Sequence, residues 1–171
     1  PAQSSNGSVT CDYDNDGDLD IFISTYGISV SNGVNTLWEN TDGTFKNVAL
    51  ERGFASLATG NPFGSASKDD AEEPGKTPAT YVGSNGFGID CGDFDNDGDL
   101  DIVFAAIAHP DSSRQWADPS QILINQGESE GWTFVSETQM RGLPFNEGDV
   151  DAALVDFDND GHLDISFSRD K

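Results

Sequence analysis

Three stretches of this chain place carboxylates at positions 1, 3, 5 and 9 of a glycine-turned loop. They read DYDNDGDLD at Asp12–Asp20, DFDNDGDLD at Asp93–Asp101 and DFDNDGHLD at Asp156–Asp164. Oxygen donors at this density suit a hard cation, and Ca²⁺ takes about six to eight oxygens at roughly 2.3–2.6 Å. In the first loop Asp12, Asp14 and Asp16 would supply side-chain oxygens, Asp18 its main-chain carbonyl, and Asp20 the closing carboxylate. Gly17, at position 6, permits a sharp turn that a Cβ would resist. Position 7 is Asp18, Asp99 or His162. That variation is expected if only its carbonyl is used.

Other metals fit less well. Mg²⁺ demands near-octahedral geometry and keeps its water. Zinc prefers sulfur and imidazole, and no Cys or His occupies a side-chain ligand position here. An EF-hand would carry a bidentate Glu at position 12, where this chain has Ile23, Phe104 and Phe167. Each loop instead runs into a strand pattern, Leu19–Ile23, Leu100–Phe104 and Leu163–Phe167. The last carboxylate therefore stands at the start of a β-strand.

The loops repeat at offsets of 81 and 63 residues, and the likeness extends beyond them. Thr36–Asn40 answers to Gln121–Asn125, Thr44-Phe45 to Thr133-Phe134, and Arg52-Gly53-Phe54 to Arg141-Gly142-Leu143. Each unit reads as four short strands: a Gly-rich strand into the loop, a buried strand out of it, then a hairpin. The hairpin turns are Thr41-Asp42-Gly43 and Gly127–Gly131. Alternation is weak in the strands that follow the loops, which fits burial on both faces. Four-stranded repeats of this length point to an all-β fold of β-propeller blades, each of four antiparallel strands.

Residues 1–54 form the first unit with loop 12–20, and 55–85 an insertion. Residues 86–145 form the second unit, with loop 93–101 and a further insertion at 109–120. Residues 146–171 form part of a third unit with loop 156–164. The chain thus encodes about two and a half blades, where a propeller needs roughly four to eight. The remainder is expected from a longer parent or from other chains, and Pro1 suggests a mature or excised fragment.

The charge is lopsided: 31 acidic against 8 basic residues, a net −23. Of the acids, 14 lie in the three loops. Three bound Ca²⁺ would bring −23 to −17. Self-repulsion in the metal-free form should make the cation a folding ligand. The same charge argues against nucleic acid and anionic membranes as partners. The chain has no apolar run of the roughly 18 residues a membrane span needs. Cys11 and Cys91 stand one and two residues before their loops. A disulfide between them and two small buried residues are both open readings. Asn6-Gly7-Ser8 matches a glycosylation sequon.

The loop, the Gly-rich strand before it and the Asn…Gly-Thr-Phe…Arg-Gly-Phe tail resemble the FG-GAP/VCBS repeat family, which includes the integrin α-subunit propeller and ASPIC/UnbV-type repeats. The resemblance covers nearly the whole chain apart from the two insertions. It implies a β-propeller with Ca²⁺ held in a hairpin at one rim of each blade. It further implies secretion or surface display, and roles in adhesion or protein–protein binding. Carried over by position, the second set of ligands is Asp93, Asp95, Asp97, Asp99 (carbonyl) and Asp101. The third is Asp156, Asp158, Asp160, His162 (carbonyl) and Asp164.

The expected function is therefore a non-catalytic, calcium-binding propeller segment with about three ions. It would sit outside the cytoplasm (extracellular, at the cell surface or periplasmic). Its partners would be another protein or the remaining blades of a larger propeller. One alternative is part of a calcium-dependent polysaccharide-active enzyme. Acid–base catalysis needs a His, Tyr or tuned carboxylate in a cleft, yet only His109 and His162 are present, and His162 lies inside a loop. A second alternative is a glycan-binding surface. Trp116 in the second insertion is its best anchor, whereas Trp38 and Trp132 are expected to be strand residues that pack the blades.

Overall fold

The computed structural model describes residues 4–26, 34–55, 81–82, 85–107, 116–117, 119–138, 140–144 and 148–170. The chain is all-β, built from antiparallel sheets that match an open portion of a propeller. The first sheet is a meander in the order β1 (Ser4–Cys11), β2 (Asp20–Tyr26), β3 (Thr36–Thr41), β4 (Thr44–Asn47). A single helical turn, α1 (Ala49–Arg52), follows it and ends at Gly53, whose φ of 80° supplies the left-handed cap. The two-residue strand β5 (Tyr81–Val82) comes next in the chain. The second sheet has the order β6 (Gly86–Gly92), β7 (Asp101–Ala106), β9 (Gln121–Asn125), β10 (Phe134–Ser136). The third is the pair β11 (Asp149–Val155) and β12 (Asp164–Arg169).

Among the described residues, the two insertions meet at a short strand pair. Strand β8 (Trp116–Ala117), from the second insertion, pairs in parallel with β5, from the first. His109, Arg114, the Trp116 side chain and most of the first insertion lie outside the described residues.

In each unit the acidic loop closes a hairpin. Cys11 pairs with Asp20, Gly92 with Asp101, and Val155 with Asp164. The first strand of every unit also carries a register shift at a matching place, between Ser5 and Gly7, Gly86 and Ile89, and Asp149 and Asp151. A bulge bends a strand and increases its twist. Here it recurs on the strand that faces the neighbouring unit.

The glycines of these strands have a packing cause. A Cβ on Gly7 would lie 1.9 Å from the Phe87 carbonyl oxygen, and one on Gly88 would lie 2.3 Å from an Asp151 carboxylate oxygen. The edge strands of neighbouring sheets therefore approach closely. Ser24 Oγ ties the first junction by donating to the Phe87 carbonyl at 2.7 Å.

Strand β7 explains the weak alternation after the loops. All six of its residues are buried. Ile102, Phe104 and Ala106 face one core, while Val103 and Ala105 face a second. The strand still alternates with period two, but both of its faces are interior. The first core joins sheets one and two through Tyr13, Phe22, Phe54, Phe104 and Phe134. Phe22 sits at its centre, edge-on to Phe54 at 5.0 Å and to Tyr13 at 5.6 Å. The second core joins sheets two and three through Val103, Ile122, Ile124 and Ala152.

Two expectations about tryptophan change. Trp132 lies outside the strands, in the turn before β10 with φ of 58°, although it does pack against the first core. The Gly127–Gly131 connection is long enough to form a 3-10 turn, and this displaces Trp132 from the ladder. Trp38 is on β3 as expected, but it is 37% exposed because it lies on the face that sheet two does not cover.

Candidate metal centres

Each loop folds on itself by the same backbone scheme. The position-1 carboxylate accepts the N–H groups of positions 5 and 6. Asp12 takes those of Asp16 and Gly17, both at 3.0 Å, Asp93 those of Asp97 and Gly98, and Asp156 those of Asp160 and Gly161. Gly17, Gly98 and Gly161 all have φ near +90° (95°, 97° and 89°), which accounts for the glycine at position 6. Asn15, Asn96 and Asn159 at position 4 are also left-handed, at 54°, 62° and 61°. Asn tolerates this region better than most residues with a Cβ. The repeated Asn-Asp-Gly core is thus a backbone requirement as well as an acidic one.

The position-9 carboxylate is fixed by main-chain donors. Asp20 accepts the N–H of Tyr13 at 3.2 Å and of Asn40 at 2.8 Å. Asp101 accepts those of Phe94 at 2.9 Å and Asn125 at 2.8 Å. Asp164 accepts that of Phe157 at 3.2 Å. Both Asp20 and Asp101 are fully buried, and burial pushes each carboxyl up to about 6. The main-chain donors offset only part of that desolvation.

Within each loop, ligand atoms of positions 1, 3 and 9 all lie within 4.8 Å of one another: Asp12, Asp14 and Asp20; Asp93, Asp95 and Asp101; Asp156, Asp158 and Asp164. Three acidic clusters of this kind can each hold a metal ion. Asp14 supplies a sharper observation. Its Oδ1 is buried and finds no hydrogen-bond partner among the described residues. Burial, then the neighbouring Asp16, raises its carboxyl above the ordinary range. A buried carboxylate oxygen without a donor is costly. A cation inside the cluster would meet that need, so the donor set fits a hard metal ion.

Asp16, Asp97 and Asp160, at position 5, fall outside the converged trios. Each accepts the N–H of position 7, at 2.8, 2.9 and 2.9 Å. This leaves their second oxygen for any other role. The position-7 side chains were expected to be idle, and they are not. Asp99 Oδ1 accepts the side-chain amide of Asn15 at 2.9 Å, and His162 Nδ1 stands 2.9 Å from that of Asn96. Asp18 accepts the N–H of Asp42 at 2.7 Å. Variation at position 7 reflects a need for an acceptor rather than freedom.

Sequence reasoning also missed Asn40 and Asn125. Beyond donating their N–H groups to the position-9 aspartates, their side chains donate to the Leu19 and Leu100 carbonyls at 3.2 and 3.3 Å. Their repeat at one place in two units was the available signal. Arg52 and Arg141, which also match in the repeat, brace the position-2 aromatics. Arg52 pairs with Glu39 at 2.7 Å and donates to the Tyr13 hydroxyl at 3.0 Å. The Arg141 guanidinium lies 5.1 Å from the Phe94 ring centre and pairs with Asp95 at 3.1 Å.

The family model described as the FG-GAP-like repeat matches residues 12–104, more than half of the chain and inclusive of the first two acidic loops. No curated protein matches it. Among the described residues, no helix is long and apolar enough to cross a membrane.

Proposed function

The chain belongs to the FG-GAP-like repeat family, and from that premise we propose that it is a calcium-stabilised propeller segment that serves protein–protein interaction, adhesion or assembly rather than catalysis. The observation that carries this reading is the convergence of three carboxylates in every loop, one of them with a buried, unpaired oxygen at Asp14. Asp12, Asp14, Asp16, Asp20 and the Asp18 carbonyl would hold the first ion. Asp93, Asp95, Asp97, Asp101 and the Asp99 carbonyl would hold the second. Asp156, Asp158, Asp160, Asp164 and the His162 carbonyl would hold the third. Ca²⁺ supplies charge neutralisation and a cross-link between the strands that flank each loop. The protein supplies the rest: position 1 closes the turn, and position 9 anchors the ion to the start of a buried strand.

A location outside the cytoplasm follows from the same reading, since shallow oxygen sites fill where free calcium is plentiful. The outer strands β4 and β10 expose Phe45 and Val135, at 46% and 48%. They give a partner protein or a further blade apolar area to cover. The test is calorimetric titration of the chain with Ca²⁺, with circular dichroism before and after chelation. Binding at about three sites with a gain of β-structure supports the reading. An absence of binding by both the isolated chain and its full-length parent overturns it.

A further inference from the structure

Strands β1 and β6 face each other across the first junction in a fixed register. The Asn6 side chain donates to the Gly86 carbonyl at 3.3 Å, a separation of 80 residues in sequence. Gly7 meets the Phe87 carbonyl at the same separation. Two successive contacts at one offset mean that the strands run the same way. Both also carry their bulge at this level, so the offset persists beyond it. Four residues further along, the facing pair is Cys11 and Cys91. Cys11 is buried in the first core, and Cys91 packs against that core while staying partly exposed. At the second junction Gly92 meets Leu154 instead, and the chain has no third cysteine.

We propose that Cys11 and Cys91 are a modification site: they form a disulfide that covalently joins the first two sheets. The oxidant is a disulfide, either a small-molecule disulfide such as oxidised glutathione or a protein one. The Cys91 thiolate, on the more exposed sulfur, attacks it and releases one thiol. Cys11 then loses its proton to solvent and attacks the Cys91 sulfur, releasing the second thiol. Two protein thiols are oxidised and one disulfide is reduced to two thiols. The bond closes a loop of about 80 residues, and chain entropy predicts a rise in Tm of roughly 10 °C.

The test incubates the calcium-loaded chain with oxidised glutathione, alkylates free thiols and maps the digest by mass. The expected result is one cross-linked peptide joining Cys11 to Cys91, an intact mass lower by two hydrogens, and a Tm rise that dithiothreitol reverses. The Cys91→Ser chain should lack that shift. Two alkylated cysteines, a persisting glutathione adduct on Cys91, or disulfide-linked dimers would each overturn the proposal.

Discussion

Asn15 of the first acidic loop donates its side-chain amide to Asp99 of the second at 2.9 Å, and neither carboxylate oxygen of Asp99 belongs to the converged trio of its own loop. The bond runs from position 4 of one loop to position 7 of the next, and Asn96 repeats it toward His162. The loops are therefore linked, each bracing position 7 of the next, whose carbonyl is a ligand in the proposed calcium site. Asn15→Gly keeps the left-handed backbone open while it removes the amide. Calorimetry should then show the second site weakened by several-fold, although Asn15 is not among its ligands, with the third site unchanged. Equal weakening of all three sites would point to general loosening instead.

Asp14 is the residue for which the proposed cation matters most, because its buried Oδ1 has no hydrogen-bond partner among the described residues. Asp14→Asn keeps its size and removes its charge. On the calcium reading, the first site should lose on the order of a hundredfold in affinity. The metal-free chain should meanwhile keep its stability or gain a little, because a buried charge has gone. Thermal melts with and without chelator would separate the two effects. A variant with wild-type affinity would remove Asp14 from the site.

Much of this was legible in the sequence. Three copies of one nine-residue pattern gave the hairpin-closing loops, and the matched segments after them gave the four-strand order of the first two sheets. What stayed hidden depends on contacts between units. No periodicity shows that β7 serves two cores, since its alternation is masked when both faces are apolar. The acceptor role of position 7 is invisible within one loop because its donor sits elsewhere, in the previous loop for Asp99 and His162 and in the following hairpin turn for Asp18. Trp132 was misplaced because a turn of variable length shifts residues off the ladder, and a repeat alignment does not register that.

Arg52 joins three parts of the first junction. It pairs with Glu39, donates to the Tyr13 hydroxyl, and reaches the Gly131 carbonyl of the second unit. The cluster is mostly buried, so it counts for more than a surface pair. Arg52→Ala should destabilise the chain by about 2 kcal/mol, seen as a fall in Tm of several degrees. Lys46→Ala, which removes an exposed pair with Glu51, should leave Tm nearly unchanged.

The buried aspartates set an unusual pH dependence for the metal-free chain. Burial raises Asp20 and Asp101 to about 6 in the folded state, against roughly 3.9 for an unfolded aspartate. Between those values the folded state binds more protons than the unfolded one, so stability falls as pH rises. The contribution is fully present below about pH 4 and is lost once pH passes about 6. The chelated chain should therefore melt higher at pH 5 than at pH 7.5. If calcium binds as proposed, it should reverse the trend, because the cation needs both carboxylates ionised and protons compete with it at pH 5. The increment in Tm on adding calcium should be largest at pH 7.5 and shrink toward pH 5. Asp20→Asn with Asp101→Asn should flatten the acid side of the chelated profile. Melting curves for the two forms across this range decide the matter: a chelated chain that loses stability steadily from pH 7.5 to pH 5 would show that these carboxylates are not held above their ordinary range.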